Sequence, residues 1–178
     1  MALVIGTNCG FVTSAPSNDP SGATALIMDT RARALKDTAP AKAVKVTEIG
    51  WWCDNATQEA NFDVGIYSHD AGNDRPNALI GSSKNNAKGT SSGWKKITSL
   101  DITITAGTVY WIGVQLDDTA TQTNLDFDQD GSSGTAYKSS QTALPDSWGS
   151  SDGSDATSTM AIYALVEVSN QSGFFSLF

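Results

Sequence analysis

The chain has 178 residues, a formal net charge of -8 and 39% apolar residues, enough for one domain with its own core. The acidic balance excludes a basic nucleic-acid footprint. No apolar run is long enough for a membrane-spanning helix, which argues against membrane insertion.

Gly, Ser, Thr, Asn and Asp are abundant and there are only three glutamates, while apolar residues come in short runs. That profile is one of short strands joined by polar turns. The charge is concentrated: residues 117–155 hold eight aspartates against Lys138 alone. Acidic solvating loops and a cation-binding edge both fit.

In chain order, "MALVIGTNCGFV" has an apolar run with no basic residue before it and is interrupted by Asn8. It makes a poor secretory leader and a plausible first strand. Cys9 and Cys53 could pair if that strand lay beside "WWC", but two cysteines make no disulfide framework, so buried thiols are expected. "DTRARALKD" (29–37) fits a helix or a strand. In "VKVTEIGWWCD", Val44 and Val46 share one phase and Ile49, Trp51 and Cys53 the other, which predicts a β-bulge near Thr47–Glu48.

"NFDVGIY" alternates, with Phe62, Val64 and Ile66 on one face and Asn61, Asp63 and Tyr67 on the other. "LDITI" alternates too, and both predict half-buried antiparallel strands. "HDAGNDRPN" (69–77), "NNAKGTSSG" (85–93) and "TAG" (105–107) are turn signals. "TVYWIGVQL" (108–116) and "MAIYALVEV" (160–168) are apolar on both faces and predict central strands. The whole predicts eight to ten strands in a single antiparallel β-sandwich of jelly-roll or Greek-key type spanning residues 1–172. Residues 173–178 form an apolar tail. Phe174, Phe175, Leu177 and Phe178 either fold back on the sandwich or dock on a neighbouring subunit.

The runs "FDVGIYSHDAGNDRPNALIGSS", "GWKKITSLDITITAGTVYWIGVQLDD" and "YKSSQTALPDSWG" resemble jelly-roll-like β-sandwich modules of phage virion proteins and bacterial surface or carbohydrate-binding proteins. The resemblance covers roughly residues 44–165 and includes a hairpin around "TAGT" (105–108). It implies the fold and a choice among carbohydrate binding, adhesion and virion decoration or fibre roles. It carries over no catalytic residue, since the shared motif contains none.

Catalytic chemistry finds little support. The only histidine, His69, lies in a turn signal beside Ser68 and Asp70, and sequence neighbours cannot form a relay among themselves. Glu48, Glu59 and Glu167 lack a recognisable acid–base context. Sugar recognition needs exposed rings. Trp148, in "LPDSWGSSDGSD", is the first candidate, with Tyr137 near the aspartates and Trp94 at a strand start. Adjacent Trp51 and Trp52 must face opposite ways.

"NLDFDQDGSSG" sets Asp126, Asp128 and Asp130 at alternate positions before Gly131, matching the first half of a calcium loop. The twelfth position is Tyr137 and no helix flanks the loop, which excludes an EF-hand. A strand with an acidic outer face and a partial calcium site both remain, because three like charges on one strand face repel. The expected function is a non-enzymatic virion or extracellular-surface structural protein, a homo-oligomer or a subunit among others, requiring no cofactor. The alternative is a calcium-assisted carbohydrate-binding module that takes a glycan.

Overall fold

A computed structural model describes residues 2–20, 24–55, 58–117, 123–129 and 134–169. Among these the chain is all-β, with no helix and two sheets packed face to face as a sandwich. One sheet holds β1 (Gly10–Val12), β2 (Thr24–Ile27), β4 (Ala43–Asn55), β7 (Gly93–Ile97), β8 (Ile102–Thr103), β10 (Asn124–Asp128), β13 (Thr159–Met160) and β14 (Ile162–Val168). Its order is β1-β14-β4-β10-β13, with β2 on β10 and with β7 and β8 on β4. The other holds β3 (Arg31–Thr38), β5 (Asn61–Asp70), β6 (Arg75–Ala87), β9 (Val109–Leu116), β11 (Gly134–Lys138) and β12 (Gly153–Asp155), in the order β12-β11-β3-β9-β5-β6. The count exceeds the eight to ten expected because several strands are only two or three residues long, too short to leave a periodic signal. Pairing is antiparallel except for β1, which runs parallel to β14.

The main core lies between the sheets. Val46, Ile49, Trp51 and Cys53 of β4 face Phe62, Val64 and Ile66 of β5 and Ile112, Val114 and Leu116 of β9, all buried. Burial of this apolar surface, at about 25 cal/mol per Å², is the main drive for the sheets to stack. The expected bulge is present: Leu165 pairs with Glu48 and Val166 with Val46, leaving Thr47 as the extra residue. A second shift leaves Val44 between Lys45 and Ala43, so Ala43 enters the core and Val44 is exposed, against the shared phase expected for Val44 and Val46.

The "TAGT" turn is not a hairpin. Thr108 N–H donates to the Thr105 carbonyl at 3.2 Å and Gly107 has φ 72°, yet β8 before it pairs in one sheet and β9 after it in the other. The turn is an arch between sheets, because Ile102 and Ile104 on one side and Ile112 and Val114 on the other all face the shared core.

A second core covers the outer face of β3, β9 and β5. There Ala32, Ala34, Tyr67, Trp111 and Ala136 are buried beneath Leu144 and Trp148. The half-buried reading of "NFDVGIY" therefore fails for its polar face: Asp63 and Tyr67 are both buried. Asp63 accepts from Asn85 N–H at 2.8 Å and Leu144 N–H at 2.9 Å, and the Tyr67 hydroxyl donates to the Pro145 carbonyl at 2.7 Å. Gly113 makes room for this layer, since a Cβ there would lie 2.8 Å from the Tyr67 ring.

Candidate functional site

At one side of the sandwich a cleft of about 390 Å³ opens between the sheets. Leu26 of β2 and Phe127 and Gln129 at the end of β10 line one wall, and Arg33, Thr135 and Tyr137 the other. Gly153, Ser154, Asp155 and Ser158 complete it. Strand alternation explains the lining: Ala32, Ala34 and Ala136 turn into the second core, which sends Arg33 and Tyr137 to the inner face.

Arg33 is 6% exposed. Its Nε and Nη2 both donate to the Ile27 carbonyl, at 3.1 and 2.9 Å, tying β3 to the end of β2. Burial, with Arg31 nearby, lowers its pKa to about 10, so it stays cationic at neutral pH. The Arg33 and Arg31 guanidiniums lie 5.4 and 5.6 Å from the Tyr137 ring centroid, within cation–π range. Tyr137 pairs with Arg33 on one side and Gly153 on the other. Its ring leans over Gly153, where a Cβ would meet Cζ at 2.9 Å and Oη at 3.0 Å. Asp155 accepts from Thr157 N–H at 2.8 Å, the Thr157 hydroxyl at 2.7 Å and the Ser158 hydroxyl at 2.5 Å. These bonds, that from Ser158 foremost, hold its carboxyl below the usual carboxylate range.

Tyr137 is the one sugar-stacking candidate that lies in the cleft. Trp148 does not, and the exposed ring expected for it is corrected. It is 0% exposed, its Nε1 donates to Ser151 Oγ at 3.0 Å, and its backbone N–H donates to the Asn77 carbonyl at 2.8 Å. Docking of its loop on Tyr67 and Trp111 buries the ring, so it has no face left for a sugar. Trp94, the first side chain after Gly93 in β7, lies on the outer face of the other sheet. It meets Trp52 edge-on at 5.5 Å and Tyr163 at 5.1 Å, and its Nε1 donates to the Asn18 carbonyl at 3.0 Å. Trp51 points into the core and Trp52 outward. Beneath Trp94, the buried Tyr163 hydroxyl donates to Glu48.

The acidic strand also differs from expectation. Its aspartate face is not solvated: Asp126 is 5% exposed and Asp128 accepts from Leu3 N–H at 2.8 Å. Burial, then the charges of Asp54, Asp19 and Asp128, push the Asp126 pKa up to about 6. Asp130 and Gly131 lie outside the described residues. Among those described, no three His, Cys, Asp or Glu gather where a metal ion could sit. The tail carrying Phe174, Phe175, Leu177 and Phe178 also lies outside them.

His69 is in strand β5 rather than a loop, and its Nδ1 accepts from Trp111 Nε1 at 3.1 Å. Cys9 and Cys53 are both buried thiols. β1 pairs with β14, so the N-terminal strand does not lie beside the "WWC" strand.

Sequence reasoning missed Arg33, Phe127 and Asp155 as cleft residues. In the sequence Phe127 marks no more than the apolar phase of "NLDFD", and Arg33 no more than a charge alternating with alanines in "RARAL".

No family model matches the chain, and no curated protein matches it. Among solved structures it is similar to the crystal structure of the cysteine protease and lectin-like domains of Cwp84, a surface layer associated protein of Clostridium difficile. The identity is 11% and the TM-score 0.47, over 79% of this chain and 33% of that one. A likeness this distant does not extend to function, and this chain spans only a minor part of that protein's length.

Proposed function

We propose that the protein is a non-enzymatic, glycan-binding β-sandwich module acting at an outer surface, with the cleft around Tyr137 as its saccharide site. The observation that carries this reading is the make-up of the inter-sheet cleft. It combines apolar Leu26, Phe127 and the Tyr137 ring with convergent polar groups from Arg33, Thr135, Ser154 and Ser158. Apolar walls with a few fixed donors and acceptors suit a sugar, whose C–H faces are apolar and whose rim is hydroxylated. Arg33 lines the cleft and Arg31 lies against the Tyr137 ring, so the binding proposed uses these fixed groups and not calcium.

A glycan array probed with the parent protein and with Tyr137→Ala tests this. Binding to a restricted set of saccharides, lost in the variant and retained in the presence of a chelator, is the expected result. An array with no bound glycan would remove the reading.

A second reading is a virion or surface subunit that assembles through its tail, favoured by the packing of three phenylalanines and a leucine into "GFFSLF". Removing residues 173–178 should then lower the solution mass measured by light scattering. An unchanged mass would count against it.

A further inference from the structure

We infer that the cleft selects saccharides bearing a carboxylate, such as uronic acids, with Arg33 as the residue that reads the charge. This rests on the proposed saccharide site. A guanidinium carries five N–H donors and no acceptor. Arg33 Nε and Nη2 share one carbonyl, that of Ile27, which leaves Nη1 without a protein acceptor among the described residues. No carboxylate among those residues lies within ion-pair distance of it.

A buried cation is costly unless it is paired. Arg33 is more than nine-tenths buried here, and among the described residues its compensation is one carbonyl and the Tyr137 ring. Arg31 faces the same ring and adds positive charge rather than relieving it. Asp155, the acidic residue of the lining, already receives three hydrogen bonds from Thr157 and Ser158. Among the described residues, the unmet demand in the cleft is therefore for an anionic acceptor, and a planar carboxylate matches the guanidinium fork.

The rest of the protein works against anions, since its net charge is -8. Long-range attraction cannot account for such a preference, which must come from contact inside the cleft. The ligand envisaged lays a sugar face along Phe127 or Tyr137 and directs its carboxylate at Arg33, with its hydroxyls meeting Ser154 and Ser158.

The test is calorimetric titration of the intact protein with oligogalacturonate and with the same oligosaccharide fully methyl-esterified. The two probes share one sugar backbone and differ at the carboxyl, which is charged in the first and neutral and methyl-capped in the second. The free acid should bind about tenfold tighter, the increment expected of a charge-assisted hydrogen-bonded contact. In Arg33→Gln the two probes should bind about equally. Equal binding of acid and ester to the parent protein overturns the selectivity while leaving the saccharide site standing. Binding of neither probe, together with an empty glycan array, removes both. The acid–ester comparison needs no variant, so it decides the selectivity even if Arg33→Gln does not fold. Arg33→Lys, which keeps the charge and loses the guanidinium fork, then tests the assignment to Arg33, and undiminished acid preference in it would overturn that assignment.

Discussion

The Trp148 ring meets Tyr67 edge-on, with centroids 5.1 Å apart and planes at 85°. This pair turns an acidic, serine-rich loop into the lid of a second core. Trp148→Ala should therefore act on stability and not on recognition. It removes a buried indole, at a cost of about 3–5 kcal/mol, and frees the segment from Leu144 to Gly149. Chemical unfolding gives the loss, and hydrogen exchange at Leu144 and Trp148 N–H reports the opened loop. Wild-type stability in Trp148→Ala would contradict this role.

Gly153 holds the Tyr137 ring in place by having no side chain. A Cβ at Gly153 would come within 2.9 Å of Tyr137 Cζ and 3.0 Å of Oη, so Gly153→Ala must tilt the ring. The ring is half-buried at a sheet margin and can give way, so the stability cost should stay at about 1–3 kcal/mol. Saccharide binding should fall as it does in Tyr137→Ala. Unaltered affinity in Gly153→Ala would separate the ring position from the site.

Asp126 makes a pH-dependent contribution of definite sign. Its folded pKa, about 6, lies above the ordinary aspartate value of 3.8. Between those values the folded state keeps a proton that the unfolded chain has released, so its share of stability declines as pH rises through the window. Burial shifts Asp37 the same way, while Glu59, Asp70 and Asp155 are shifted down and oppose it. The difference between parent and Asp126→Asn isolates the one group. Urea midpoints should agree near pH 4 and separate above pH 6, with the variant more stable. A difference that does not change with pH would refute this assignment.

Cys53 is buried in the main core, and burial pushes its thiol up to about 11. At pH 8 roughly one molecule in a thousand then carries the thiolate that reacts. A disulfide reagent should label Cys53 slowly in the native protein and rapidly in urea. Fast native labelling at Cys53 would contradict its burial.

The fold was legible wherever one face of a strand carried the signal. Phe62, Val64 and Ile66 alternate and are buried together, and the change of apolar phase in β4 marked the bulge at Thr47. What sequence concealed was the second layer. Asp63 looks solvent-facing, and nothing local says that Leu144 N–H will cap its carboxylate from 81 residues away. Trp148 misled for the same reason, because its polar neighbours describe the loop and not the surface on which it docks. The cleft was hidden more deeply. Tyr137, Arg33, Phe127 and Asp155 come from four separate strands, and only the pairing of β11 with β3 and β12 brings three of them together.

Ligand binding is assigned to the inter-sheet cleft. Amide chemical-shift mapping during titration with a saccharide selected on the array tests it most directly. Perturbations are expected at Phe127, Tyr137, Ser154 and Asp155, with Trp52, Trp94 and Trp148 unmoved. Shifts confined to the Trp52–Trp94 face, with the cleft unchanged, would contradict it.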